Sequence, residues 1–236
     1  MIKNLLQNYI KDYKITLTEN QYEQFQKYFE LLAEWNEKMN LTAITDESGV
    51  ALKHFADSLS LLNFVDIPQN SSLADVGTGA GFPGVVLKIA RPDIKLTLID
   101  SLNKRLVFLG EVCAQLGIKA ELIHSRAEDG ARDEKLRENF DFAVSRAVAR
   151  MNVLSEYCLP YVKVGGAFCA MKGAQANEEF KESLNAINTL GGKLENKYFF
   201  ELPENGGERA IAVVRKVKNT PQKYPRQSGK IKAKAL

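Results

Sequence analysis

The sequence predicts an α/β protein: a mostly parallel seven-stranded sheet with helices on both faces, an antiparallel edge and a helical extension at the N-terminus. Three observations carry this. From Leu73 to Lys172, short apolar runs alternate with amphipathic stretches of helical period, as in strand–helix–strand units of a parallel sheet. Glycines 77, 79, 81 and 84 cluster at the first strand-to-helix junction. The last two strand-like runs are joined by the turn-rich segment Pro203-Glu-Asn-Gly-Gly207 instead of a helix, which makes them an antiparallel pair.

Each element has its own signal. Tyr22, Phe25, Phe29, Leu32 and Trp35 recur at steps of three and four, one stripe of an amphipathic helix. Thr18 with Gln21 three residues on forms a capping box at its start. A second helix is expected over Val50 to Phe64, with His54, Asp57 and Ser58 on or near its polar side. Pro68 and Asn70-Ser-Ser72 form a loop. Then come a strand Leu73–Val76, a helix Pro83–Ala90, a strand Lys95–Asp100, and a helix Lys104–Leu116 capped by Gly117. Strands follow at Lys119–His124 and Phe140–Val144, and a helix at Met151–Tyr161. Gly165-Gly166 turns the chain into a strand Ala167–Lys172. A helix Glu178–Leu190 and closing strands Lys193–Leu202 and Ala210–Val217 complete the pattern. The organisation is thus an N-terminal helical extension (1–65), a sheet domain (66–217) and a basic tail (218–236).

The chain has 236 residues, 45% hydrophobic and 26% charged, enough to bury a sizeable core. Its net charge of +3 is unevenly placed. Arg215 to Leu236 holds eight basic residues and no acidic one, leaving 24 basic against 29 acidic before it. A mildly acidic body with a basic tail excludes a uniformly basic histone-like protein and points to a localised anionic partner. The tail is expected to be mobile when unbound. No apolar run approaches membrane-spanning length, and the N-terminus lacks a signal-peptide core. Cys113, Cys158 and Cys169, none in a C-x-x-C pair, read as buried thiols of a cytoplasmic protein. His54 and His124 show no metal-ligand spacing.

Gly79-Ala-Gly81-Phe-Pro-Gly84 matches G-x-G-x-x-G, a weak signal alone. A Cβ-free turn at a helix N-terminus lets a cofactor approach the backbone, and Asp100 can accept from ribose hydroxyls. That logic serves NAD and S-adenosylmethionine equally, and a plain structural turn is a third reading. Two features favour S-adenosylmethionine. Asp75, inside the strand, suits a cationic sulfonium cofactor with an amino group and would repel a pyrophosphate. The sheet unit also fills nearly all the chain after residue 70, leaving no second large domain for a dehydrogenase substrate.

Several stretches together resemble the ribosomal RNA small subunit methyltransferase G family, also called glucose-inhibited division protein B. They are Trp35-Asn36 with Asn40-Leu-Thr42, His54-Phe-Ala-Asp57-Ser58, Asp75-Val-Gly-Thr-Gly-Ala-Gly-Phe-Pro-Gly84, Asp100-Ser-Leu-Asn-Lys-Arg105 with Phe108-Leu109, Arg126-Ala-Glu128, Ser145-Arg-Ala147, Lys172-Gly173 and Asn219-Thr-Pro-Gln-Lys-Tyr-Pro-Arg226. The resemblance covers essentially the full length. It implies a Rossmann-like class I S-adenosylmethionine-dependent methyltransferase acting on N7 of one guanine in 16S ribosomal RNA, in a loop near the decoding site. It also places cofactor contacts on Gly77, Phe82, Ala127, Glu128 and Arg146. Residue reasoning adds Asp75, Gly79 and Asp100 to the cofactor set.

Guanine N7 carries a lone pair and no proton, so such a transfer needs positioning and no general base. The sequence lacks the Asn-Pro-Pro-Tyr of adenine N6 enzymes and the Pro-Cys of cytosine C5 enzymes. Lys104, Arg105, Arg126 and Lys172 fall near strand ends on the cofactor edge and are candidate phosphate contacts, as are Lys223 and Arg226 in the tail. His54 and Asp57, three apart, either meet RNA or the cofactor, or brace the helical region against the sheet. Expected partners are 16S ribosomal RNA or the small ribosomal subunit, with no membrane, and the expected state is a monomer. Competing readings are a methyltransferase of another substrate and a catalytically silent RNA-binding assembly factor.

Overall fold

A computed structural model describes residues 1–146 and 148–236; Ala147, part of the Ser145-Arg-Ala147 motif, and the Lys232 side chain lie outside the described set. The chain runs α1 (Ile2–Tyr9), α2 (Glu19–Met39), α3 (Glu47–Val50), a π-helical stretch (Ala51–Ala56) and α4 (Asp57–Phe64) before the first strand. There follow β1 (Ser72–Val76), α5 (Gly84–Ala90), β2 (Lys95–Asp100), α6 (Asn103–Leu116), β3 (Ala120–His124), α7 (Ala127–Gly130), β4 (Phe140–Arg146) and α8 (Met151–Cys158). A 3₁₀ turn (Leu159–Tyr161), β5 (Val162–Lys172), α9 (Ala176–Glu182), α10 (Leu184–Thr189), β6 (Gly192–Glu201), β7 (Glu208–Lys216) and α11 (Ser228–Ala233) complete it.

The seven strands lie in the order β3-β2-β1-β4-β5-β7-β6. All neighbours are parallel except β7, which is antiparallel to both β5 and β6. One core packs α1, α2, α4, α5 and α6 on one face of the sheet. A second packs α8, α10 and Ile231 of α11 on the other. The order reverses between β1 and β4, so the crevice at their carboxyl ends is the place where open α/β sheets bind ligands.

The N-terminal helices reach the functional edge directly. The capping box forms: Thr18 N–H donates to Gln21 Oε1 at 2.7 Å, and Gln21 N–H to Thr18 Oγ1 at 3.4 Å. Gln21 also donates to Ile89 O at 2.7 Å, fixing α2 on the end of α5. Tyr28, fully buried, donates to Ala80 O at 2.5 Å and so holds the glycine loop from behind. Trp35 is half-buried against Phe108.

Several elements depart from expectation. The helix expected over 50–64 starts at Glu47 and passes through the π-helical stretch. Asp57 and Ser58 are buried inside it rather than on a polar side. The helix from Met151 ends at Cys158, because Pro160 has no N–H to continue it. The stretch 178–190 is two helices, broken at Ser183, whose hydroxyl donates back to Phe180 O at 2.9 Å. Gly165-Gly166 lies within β5, beside a shift in its register with β4.

The largest correction concerns the tail, which is folded onto the body. Tyr224 and Ile231 are buried, and Arg137 donates to Thr220 O and Tyr224 O at 2.8 and 2.9 Å. Arg215 pairs with Glu195, Lys216 with Glu138, and Arg226 with Glu156. Arg215 and Lys216 at the end of β7 and Arg226 in the tail are therefore already neutralised. Among the described residues, no helix is long and apolar enough to cross a membrane.

Candidate active site

β1 ends at Val76, and the next two amides, Gly77 and Thr78, donate to Ile99 O of β2 at 2.9 and 3.1 Å. That turn places Gly77 at φ +73°, where a Cβ would also come within 2.7 Å of Val148. Only glycine meets both conditions. Asp75 anchors the loop from beneath. Its Oδ2 accepts from Thr78 Oγ1 at 2.7 Å and from Gly84 N–H at 2.8 Å. The carboxyl is 0% exposed, and burial raises its pKa to about 6. Asp75 therefore shapes the loop that the cofactor is expected to approach; it lines neither lobe of the crevice itself. Its Oδ1 has no hydrogen-bond partner among the described residues.

On one side of the loop lies a cavity of about 880 Å³, walled by Gly77, Gly79, Asp100, Arg126, Ala127, Glu128, Tyr157 and Ser228 among others. Asp100 sits at the end of β2, where Gly79 N–H donates to Oδ2 and Leu102 N–H to Oδ1, both at 2.9 Å. Arg105 stands 3.3 Å from the same carboxylate. An ionised carboxylate offers about four acceptor sites, so Asp100 keeps capacity for a vicinal diol. Glu128 is buried at the opposite wall. These residues fit an adenosyl group: acceptors for ribose, a small Ala127 against a flat ring, and glycines where a cofactor approaches backbone.

On the other side lies a second lobe of about 620 Å³, which shares Gly77, Gly79, Arg146 and Ala149 with the first. Arg146 is the junction. Its guanidinium donates to Lys53 O at 2.8 Å and Asp57 Oδ2 at 3.0 Å, and faces His54 Nδ1 at 3.1 Å. It also lies over the Phe82 ring, 5.1 Å from the centroid. The second oxygen of Asp57 accepts from Arg209 at 3.2 Å. His54 Nε2 hydrogen-bonds with Thr42 Oγ1 at 2.8 Å, while Nδ1 lies 3.1 Å from both the Arg146 guanidinium and Lys53 O, so which ring nitrogen carries the proton follows from which of these two Nδ1 engages. Burial, reinforced by Arg146, lowers the His54 pKa to about 3, and the imidazole is neutral. It stacks on Phe82 at 4.5 Å. His54 and Asp57 thus brace the helical region against β4 while lining the second lobe.

The expected phosphate contacts divide. Lys104, Arg126 and Lys223 are exposed, and Lys223 lies over the Tyr224 ring. Arg105 is held by Asp100. Lys172 is half-buried at the second lobe, paired with Glu179 at 2.8 Å and donating to Ala149 O. Arg226 gives its guanidinium and its amide to buried Glu156. For Lys172 and Arg226 a phosphate role competes with an internal carboxylate that each already satisfies, and leaving that charge buried and alone is costly. Sequence reasoning missed Arg209, Lys53, Tyr157 and Ser228 as lining residues. No local motif marks them; Arg209 and Asp57 meet across 152 positions. Cys113, Cys158 and Cys169 are all buried, and burial raises each thiol, Cys113 to about 11 and Cys169 to about 12. None is an activated nucleophile.

This strand order, with an acid at the end of β2 and a bilobed crevice over a glycine loop, is the fold of the class I S-adenosylmethionine-dependent methyltransferases. Solved structures agree at the level of fold. TrmN from Thermus thermophilus superposes with a TM-score of 0.54 at 16% identity, covering 68% of this chain and 48% of that one. The fibrillarin pre-rRNA processing protein of Methanococcus jannaschii superposes with a TM-score of 0.52 at 17% identity, covering 69% and 74%. Sequence relatives are much nearer. Ribosomal RNA small subunit methyltransferase G of Leuconostoc citreum is 54% identical over 223 residues, 93% of each chain. The protein of the same name from Alkaliphilus oremlandii is 49% identical over 230 residues, 97% of this chain and 96% of that one. The family model for rRNA small subunit methyltransferase G matches residues 21–205, and the chain belongs to that family.

Proposed function

We propose that this protein transfers a methyl group from S-adenosylmethionine to N7 of a specific guanine in 16S ribosomal RNA, in a loop near the decoding site. One observation carries the reading. Two cavities, one suited to an adenosyl group and one open to a base, meet at Gly77, Gly79, Arg146 and Ala149 in a chain of this family.

S-adenosylmethionine supplies an electrophilic methyl on a sulfonium. The chain supplies position. Asp100 would hold the ribose hydroxyls, and Ala127 and Glu128 would bound the adenine. The glycine loop presents backbone without side chains between the two lobes. Asp75 and Tyr28 keep that loop in place from behind. In the second lobe, Arg146 is fixed by Asp57, Lys53 O and Phe82, so its orientation is settled before RNA arrives. No side chain is required to remove a proton from N7. His54 fits that requirement, because its two nitrogens are engaged by Arg146 and Thr42. A base reaches the second lobe only when splayed out of its stack, which favours a single-stranded loop. Exposed Lys53, Lys104, Arg126 and Lys223 provide phosphate contacts without base selectivity.

The test is incubation of the purified protein with 16S RNA or small subunits and methyl-labelled cofactor. Label in RNA as N7-methylguanosine supports the proposal. Label in protein or small molecules alone, or none at all, contradicts it.

A further inference from the structure

After β7 the chain has finished the sheet, yet residues 218–236 follow a defined path across the α8 face. Glu138 accepts from Thr220 N–H and Asn219 Nδ2, both at 2.7 Å. Arg137 holds two carbonyls, and Arg132 donates to Pro225 O. Glu156, 0% exposed, accepts from Arg226 N–H at 2.7 Å and from its guanidinium at 2.6 and 2.9 Å. Most of these bonds go to backbone atoms, so they fix where the chain goes. They deliver it to the adenosyl lobe. Ser228 forms part of that wall, beside Tyr157, and Ile231 is buried behind it to hold α11 on α8.

We infer that the C-terminal segment is a built-in wall of the cofactor lobe, with Ser228 contacting the adenosyl group and the Glu156–Arg226 pair latching the wall shut. The inference rests on the cofactor reading above. A buried carboxylate bound to both the amide and the guanidinium of one residue holds that residue's backbone within hydrogen-bond tolerance. The residue it fixes is two positions before Ser228. The latch therefore sets how readily cofactor enters and leaves, and the segment serves the cofactor more than the RNA.

The experiment measures affinity and dissociation rate of S-adenosylhomocysteine on the full chain by calorimetry and stopped-flow fluorescence, with thermal unfolding in parallel. Ser228→Trp puts an indole into the lobe and is expected to weaken binding by about tenfold or more while the melting temperature holds. A chain ending at Gln227 keeps the latch but loses the wall, and is expected to release S-adenosylhomocysteine faster. Lys230→Gln, on the exposed side of α11, is expected to change neither. Wild-type affinity and release in both Ser228→Trp and the shortened chain would overturn the inference and leave the methyltransferase reading intact. A wild-type chain that does not bind S-adenosylhomocysteine would overturn both.

Discussion

Replacing Arg146 by Met tests the junction between the two lobes. The side chain is 15% exposed and Asp57 only 7%, so their pair is largely out of water. Removing one partner of a buried pair costs about 3–5 kcal/mol when the other charge is stranded. Asp57 is not wholly stranded, because Arg209 still reaches its other oxygen at 3.2 Å. The lost bonds to Lys53 O and His54 Nδ1 add about 1 kcal/mol each at most, partly recovered by water at this crevice. A net loss of about 2–3 kcal/mol follows, equivalent to a fall in melting temperature of about 4–12 °C for a chain of this size. Urea unfolding of the single variants Arg146→Met and Asp57→Asn and of the double variant measures the pair directly. The expected coupling is about 0.5–3 kcal/mol, the range for groups sharing one network. Additive single effects, or a loss below about 0.5 kcal/mol for Arg146→Met, would refute the claim that this network organises the site.

Gly77→Ala puts a Cβ within 2.7 Å of Val148 at φ +73°, and is expected to weaken cofactor binding at least tenfold while the sheet stays folded; calorimetry and circular dichroism check both halves. Asp75 has a folded pKa of about 6, above its ordinary value of 3.8, so the stability it contributes is full below about pH 4 and lost as pH rises through 6. Asp75→Asn is expected to remove that loss, on the order of 3 kcal/mol, and denaturation curves from pH 4 to 7 show whether the profile flattens. His54 runs the other way. Its folded pKa of about 3 lies below 6.5, so its contribution is present above pH 6.5 and declines as pH falls toward 3. His54→Gln is expected to lessen acid sensitivity between pH 6.5 and 4 in the same assay.

What could be read from the sequence was mostly local. The glycine loop, Asp100 at the end of its strand, Thr18 with Gln21, and Gly117 after the helix at 104–116 each depend on neighbours a few positions away. Such signals survive folding because the backbone geometry they serve is itself local. What could not be read were encounters across the chain. Arg226 and Glu156 are 70 positions apart, and Arg209 and Asp57 are 152 apart, so no local pattern pairs either cation with its carboxylate. The tail reads as mobile from sequence for that reason: composition counts charge and does not see a buried carboxylate waiting for it. His54 and Asp57 were ambiguous because the π-helical stretch changes which side faces the sheet, and no residue pattern announced it.

The central claim is that the two lobes bring a sulfonium methyl to N7 of one guanine. The most direct measurement maps N7-methylguanosine at nucleotide resolution in 16S RNA after reaction with the wild-type chain and with Gly77→Ala. The account predicts one modified guanine with the wild type and at least tenfold less modification of that guanine with the variant when cofactor is limiting. Methylation absent from the RNA, or found at a position other than guanine N7, would contradict it.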